Sequence, residues 1–352
     1  MFVKLTSRLL MNAHDLNNEA SVGTFTDIRR IKLLNSNGEV IEATAVSGNM
    51  LKRYHFLYTK RILESLGYNK FCRHCSREES FRLDEKDDRV IPGKGRFEDY
   101  VISEKNIVSG CAIEDIHGYL SPTGLPIKRD SRVRFSWLVP VEKQEEGLTT
   151  VTHNRVIKVI PIKEEQNKSK SKEDKEREEE VEEETKEKVK GMMIFYKQYA
   201  SGIYSFSASL DVGRISVSDY TQELVEGLTP EEVSIRRVAT IKAFVPIITG
   251  EAGASMSRAL PIVQPLEILI LASKYPGLPN LVSAYYSNYA YSNIGLIKAI
   301  TKLTKNELHV LVASKEVYKS LIEDLGNIKQ INIKVFDNPA EAIAELSTLV
   351  LT

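Results

Sequence analysis

The stretch MFVKLTSRLLMN, residues 1–12, sets the fold class. Val3, Leu5, Ser7, Leu9 and Met11 fall on one side of an extended chain, and Lys4, Thr6, Arg8 and Asn12 fall mainly on the other. A period of two over this length predicts a β-strand with one buried face and one polar face. Working outward, the next regular signal is the apolar run Val40–Val46, which ends at Ser47-Gly48-Asn49. Met50, Leu51, Tyr54, Leu57, Tyr58, Ile62 and Leu66 follow at helical spacing, so a helix is expected over about 50–66, capped by Ser47 or Asn49. Strand, polar turn and helix in this order expose a helix N-terminus.

Further along, residues 14–30 are polar and rich in loop formers, and 67–105 have little periodicity, as an irregular insertion would. Val133, Phe135, Trp137 and Val139 alternate with Arg132, Arg134 and Ser136, which predicts another strand with arginines on its polar face. Residues 192–212 are expected to form a β-hairpin turning near Ser201-Gly202, with Tyr204, Phe206, Ala208 and Leu210 on one face. Thr229-Pro230-Glu231-Glu232 is a strong helix start, running toward Ile248 before a break at Gly250 and Gly253. Strands are expected at Leu266–Ala272, Leu308–Ala313 and Ile331–Phe336, and helices at Lys315–Leu325 and after Asn338-Pro339. Helices interleaved with antiparallel strands indicate α+β, and a ferredoxin-like core with long insertions accommodates the pattern.

Bulk properties narrow the function. Hydrophobic residues make up 42% of the 352, enough for a sizeable core, and 48 basic residues balance 48 acidic ones. Neutrality argues against a uniformly basic nucleic-acid binder. The balance is uneven, however: Lys163–Lys190 holds nine basic and twelve acidic residues, so the remainder is +3. This tract has almost no apolar residues, and is expected to project from the fold as a solvated helix or as disordered chain. An odd count of 3 cysteines argues against a secreted disulfide framework and for a reducing cytoplasm. The first residues are too short and polar for a signal peptide, and no run approaches a membrane span, so a soluble cytoplasmic protein is expected.

Catalytic motifs are scarce. There is no Walker A sequence, GxSxG elbow or HExxH, and the 6 histidines are scattered. Asp115-Ile116-His117-Gly118 sets a carboxylate beside an imidazole, which a metal-dependent nuclease could use, but a turn with Asp and His bonding backbone is the favoured reading, since no second acidic cluster accompanies the pair. Cys72-Arg73-His74-Cys75 has the spacing of half a zinc site; Cys111, His55, His74 and His117 are the further ligands near in sequence. A pair of reduced thiols in a loop is the alternative. Features suited to phosphate are more numerous. Ser47-Gly48-Asn49 opens a helix followed by Lys52, Arg53 and His55, and Gly250–Arg258 is a small-residue loop ending in an arginine. Arg8, Arg132 and Arg134 lie on polar strand faces. Cation-tipped polar loops favour RNA backbone over base reading, and the aromatic signature of a standard RNA-recognition motif is absent.

An ordered set of segments carries a family resemblance: SRLLMNAHDLNNEASVG near the start, AVSGNMLKRYHF at 45–56, CAIEDIHGYL at 111–120, RDSRVRFSWLVPV at 129–141, FYKQYASGIYSFSASLDVGRI at 195–215 and GASMSRALP at 253–261. Together they resemble the DevR/Csa-type "Cas-seven" proteins, the repeated backbone subunits of type I CRISPR interference (Cascade) complexes, with the archaeal type I-A form most similar. The resemblance implies a modified ferredoxin-like, RNA-recognition-motif-like palm (1–66 and 191–352, with a palm strand in 131–148), a finger-like insertion at 67–130 and a thumb-like insertion at 149–190. It implies a non-catalytic protein that needs no cofactor, binds CRISPR guide RNA, meets target DNA through that guide, and packs against copies of itself and other Cascade subunits, with no membrane role. Asn12, His14, Asn17, Ser47, Gly48, Asn49, Lys52, His55, Ser255, Ser257 and Arg258 are the implied RNA contacts, with His153, Arg155 and Lys158 on the thumb. Two departures stand out: Met256 replaces a residue often basic in the family, and the charged tract after Lys163 is long for a thumb. The alternatives are a type III-like metal-dependent ribonuclease using Asp115, or an autoregulatory nucleic-acid-binding protein.

Overall fold

A computed structural model describes residues 1–16, 20–22, 25–79, 83, 87–93, 95–122, 124–142, 147–155, 193–253 and 260–351. The chain opens with β1 (Phe2–Asn12), passes through β2 (Ala20–Val22) and β3 (Phe25–Asp27), and forms a separate hairpin from β4 (Arg30–Leu34) and β5 (Val40–Thr44) before helix α1 (Gly48–Ser65). Helix α2 (Arg73–Ser76) precedes α3 (Phe97–Gly110) and α4 (Ala112–His117), and β6 (Tyr119–Ser121) pairs with β7 (Ile127–Arg129). Next come β8 (Val133–Phe135), β9 (Val139–Pro140), β10 (Gly147–Arg155) and β11 (Met193–Leu210). Helices α5 (Pro230–Lys242) and α6 (Phe244–Ile248) lead to β12 (Val263–Ser273), and α7 (Tyr289–Leu303), β13 (Leu308–Ala313), α8 (Lys315–Leu325), β14 (Ile331–Val335) and α9 (Pro339–Leu349) complete the fold.

The result is mixed α+β. Among the described residues the main sheet has ten strands, ordered β14-β13-β12-β1-β11-β3-β2, with β8, β9 and β10 also paired to β11. Pairing is antiparallel except for β13 with β14 and β11 with β3. Since β1 and β8 are both antiparallel to β11, the long connection through α1 joins two parallel strands; α5 and α6 likewise link β11 to β12. Such crossovers need a dozen or more residues, and helices supply them.

The opening strand behaves as its alternation predicts. Val3, Leu5, Leu9 and Met11 enter the main core, which packs one sheet face against α1, α5, α6 and α9 through Leu51, Ile241, Phe244 and Ile343. β12 is buried on both faces: Ile268, Ile270 and Ala272 join that core, while Leu269 and Leu271 face a second core under α7 and α8. Each such aliphatic side chain, fully buried, contributes about 1.5–3 kcal/mol. The polar face of β1 is covered too. Thr6 accepts from the Ala284 backbone N–H at 2.7 Å, and Arg8 donates to the Ala284 and Tyr286 carbonyls at 2.7 and 3.1 Å.

Three expectations need correction. Residues 193–210 are one 18-residue strand, not a hairpin; the buried set Ala200, Tyr204, Phe206, Ala208 and Leu210 keeps its phase through Gly202, which pairs with Met11. The strand expected over 133–139 breaks after Phe135 and resumes at Val139. Phe97–Gly110 is a regular helix that begins within the segment taken as irregular. Among the described residues no helix is long and apolar enough to cross a membrane. The 163–190 tract lies outside the described residues.

Candidate nucleic-acid interface

Ser47 is the N-cap of α1, its hydroxyl accepting from Met50 N–H at 3.3 Å, and the first turn carries no acid. That turn is wedged against the end of β8. A Cβ on Gly48 would lie 2.6 Å from the Ser136 carbonyl oxygen and 2.7 Å from that of Phe135, so only glycine allows the approach. Val46 and Leu138 exchange backbone hydrogen bonds at 2.9 Å and lock the same junction. The helix start and β8 together form a cleft of about 260 Å³ lined by Ser47, Gly48, Asn49, Lys52, Arg134 and Trp137. Two further clefts adjoin it. One, of about 360 Å³, runs over Ser136, Ser207, Ser209 and Asn280; the other, of about 650 Å³, is of mixed charge, edged by Lys128, Arg132 and Arg214 and by Asp130, Asp211 and Asp219. Arg134 borders all three, and its side chain is 60% exposed while pairing with Asp211 at 2.9 Å. A helix N-terminus beside lysine and arginine in a serine-rich track suits phosphate groups.

A second group lies at the far end of β1. Asn12 donates to the Ser201 hydroxyl at 2.7 Å, and His14 is buried with its ring edge-on to Tyr199 and Nδ1 at 3.1 Å from the Ala200 carbonyl. The described residues before and after 254–259 reach one group each: the Tyr54 hydroxyl of α1 donates to the Gly253 carbonyl, and Asn12 N–H donates to the Ile262 carbonyl at 3.3 Å. Asn17, Lys158, Ser255, Ser257 and Arg258 lie outside the described residues; for His153 and Arg155 only the backbone is described, paired with Phe195 and Met193 of β11.

Burial removes several expected contacts. His55 is fully buried, with Nε2 at 2.9 Å from the Thr240 carbonyl oxygen and Nδ1 at 3.2 Å from His117 Nε2. Burial pushes its pKa down to about 3, so it is a neutral core residue. The Arg8 guanidinium is taken up by two carbonyls and by Glu267 at 3.0 Å. Arg132 is buried and bound to Asp219 at 2.6 Å, leaving only an edge at the larger cleft.

Asp115 is not placed as a metal-binding carboxylate. It is fully buried and accepts from Arg129 at 2.6 Å, Arg236 at 2.9 Å, and the Ser216 N–H and hydroxyl at 3.0 Å. Burial pushes its pKa up, but Arg129 and Arg236 outweigh burial and hold the carboxyl below the usual range. Arg129 also binds Glu104 at 2.9 Å. The CAIEDIHGYL segment is thus a structural hub, which closes on Gly118: φ is +76° there, and a Cβ would meet the Arg129 carbonyl at 2.3 Å. Cys72, Cys75 and Cys111 converge, with their sulfurs within 4.8 Å of one another. His55 and His117 pair together, and His74 pairs with Glu79 at 2.5 Å.

Reasoning from sequence missed Trp137, which was placed on the buried face of a continuous strand. Because the strand breaks at Ser136, its side chain is 41% exposed and lines the first cleft. Its being the chain's single tryptophan was the available signal.

The family described as "CRISPR-associated negative auto-regulator DevR/Csa2" matches residues 5–293. The chain is 27% identical over 316 residues to a "CRISPR-associated protein Cas7/Cst2/DevR" of Methanocaldococcus jannaschii, covering 86% of this chain and 90% of that one. It is 30% identical over 307 residues to the protein of the same name in Thermoproteus tenax, covering 86% and 83%. It is 24% identical over 281 residues to a "CRISPR-associated aCascade subunit Cas7/Csa2 2" of Saccharolobus solfataricus, covering 77% and 79%. Among solved structures, a chain of a "CRISPR RNA-guided surveillance complex, pre-nicking" superposes with a TM-score of 0.55 at 11% identity, over 99% of this chain and 100% of that one, a likeness of fold.

Proposed function

Because the chain belongs to the DevR/Csa2 family of CRISPR-associated proteins, we propose that it is a guide-RNA-binding backbone subunit of a type I, I-A-like surveillance complex. It lies along the spacer RNA beside further copies of itself and other Cascade subunits, in the cytoplasm, and presents the bases for pairing with target DNA. Sequence specificity then resides in the guide. The observation that carries this reading is the meeting of three clefts at Arg134 beside the α1 N-terminus and Lys52. Exposed Trp137 adds a surface on which a base can stack.

The palm is ferredoxin-like. What supports this is the antiparallel order β12-β1-β11 with β8 and β9 on the far side of β11, linked by helical crossovers. Residues 67–130 then form the finger and 149–190 the thumb. The protein is non-catalytic, since Asp115, the carboxylate a ribonuclease would need, is held by Arg129 and Arg236.

Titration with single-stranded RNAs of unrelated sequence, at several salt concentrations, tests the proposal. Affinity should fall linearly on a log–log plot with salt and differ little between sequences. Strong base preference, or no binding at low salt, overturns it. Electron microscopy of the protein purified with RNA should show helical filaments.

A further inference from the structure

The cysteine cluster belongs to no part of the RNA-binding reading and is independent of it. Cys72 caps the single turn of α2 and Cys75 lies within it, and the Cys75 N–H donates to the Cys72 sulfur at 3.4 Å. Cys111, far along the chain, is the junction residue that ends α3 and begins α4. Folding nevertheless brings all three sulfurs within 4.8 Å of one another. Three sulfurs on a tetrahedral zinc ion stand about 3.8 Å apart, from a zinc–sulfur bond of ~2.3 Å, so small rotations close the set. Cys75 and Cys111 are buried among Phe56, Leu57, Leu63 and Ile113, while Cys72 is half-buried, which gives an ion a way in. Glu114, three residues after Cys111, is fully buried, and both of its carboxylate oxygens are held by Arg89, at 2.6 and 3.1 Å.

We propose that Cys72, Cys75 and Cys111 bind one zinc ion. Thiolate-rich donors select zinc over harder divalent ions. The ion ties the turn of α2 to the α3–α4 junction. It thereby fixes the start of the helix that carries Asp115.

The test uses the full chain, purified under reducing conditions without chelator and passed through a desalting column. Elemental analysis should find one zinc per chain. Replacing zinc by cobalt should give thiolate-to-cobalt charge-transfer absorption, and a strong chelator should lower the melting temperature. Cys72→Ser, at the half-exposed position, should keep the far-ultraviolet dichroism of the parent and lose the zinc. A protein whose three thiols all titrate as reduced, but which holds no zinc after desalting and takes none up in calorimetry, overturns the proposal. So does a full equivalent of zinc retained in Cys72→Ser and in Cys111→Ser.

Discussion

Asp115→Asn separates architecture from catalysis at the most charged point of the interior. The substitution keeps the volume and removes the charge. Arg129 retains Glu104 at 2.9 Å, and Asp219 lies 3.6 Å away. Arg236 is left with the Tyr68 hydroxyl at 2.6 and 2.9 Å and backbone carbonyls; its ion pair is with Asp115. Leaving a buried guanidinium without its carboxylate costs about 3–5 kcal/mol, whereas replacing a whole buried pair by apolar groups is often neutral. Urea unfolding followed by circular dichroism should therefore show Asp115→Asn destabilised by about 3–5 kcal/mol, and the double variant Asp115→Asn with Arg236→Met recovering much of that loss. The pH dependence has a definite sign. A carboxyl whose folded pKa lies below its unfolded value of ~3.9 stabilises fully above that pH, and the contribution is lost as pH falls further. The variant should therefore lack the part of acid destabilisation below about pH 4 that comes from this group. An Asp115→Asn protein as stable as the parent, but deprived of an RNA-cleaving activity the parent possessed, would refute the reasoning and restore the ribonuclease reading.

Three other substitutions probe the interface and its frame. Gly48→Ala places a methyl group against two backbone carbonyl oxygens at 2.6 and 2.7 Å, so α1 must shift from β8; unfolding should show a loss of about 1–3 kcal/mol, and filter binding a weaker RNA complex. Lys52→Ala and Arg134→Ala should each reduce the slope of log affinity against log salt by about 0.7, the value for one single-strand phosphate contact, while Lys298→Ala on α7 leaves it unchanged. His55 carries a folded pKa of about 3, against ~6.5 unfolded, so its neutral form stabilises fully above pH 6.5 and the benefit drains away as pH falls toward 3. His55→Gln should remove a slope of up to about 1.4 kcal/mol per pH unit in that window, measured as the difference between the two urea-unfolding series.

The parts of the fold legible in sequence are those fixed by local rules. Leu308–Ala313 and Lys315–Leu325 have the bounds their patterns predict, and Thr229 closes a capping box with Glu232 at the start of α5. Ser47 caps α1 for the same reason. Failures fall where long-range pairing overrides a local signal. Ser201-Gly202 carries turn residues, yet it lies between Met11-Asn12 on one side and Gly147 on the other, and strand pairing on both edges holds it extended. His55 and His117 are 62 residues apart and meet as partners in the core, so neither looks structural when read alone.

The three arginines of RDSRVRFSWLVPV show why the site was harder to read than the fold. Arg129 is 0% exposed in its side chain and bound by Glu104 and Asp115; Arg132 is 3% exposed and bound by Asp219; Arg134 is 60% exposed and borders every cleft of the interface. In sequence all three are cations near one short strand, and nothing local distinguishes them. Their fates are set by carboxylates from α3, α4 and the segment after β11, which pair with the first two inside the fold; the third pairs with Asp211 at 2.9 Å but keeps its exposure. Internal pairing also bears on the neutral net charge of the chain. Arg8, Arg89, Arg129, Arg132 and Arg236 are all neutralised by carboxylates within the fold. The charge offered to a polyanion is therefore smaller than a count of basic residues suggests, and binding must rest on a few placed contacts around Arg134 and Lys52. A shallow salt dependence, with a large effect from each of those two residues, is the behaviour this distribution of charge requires.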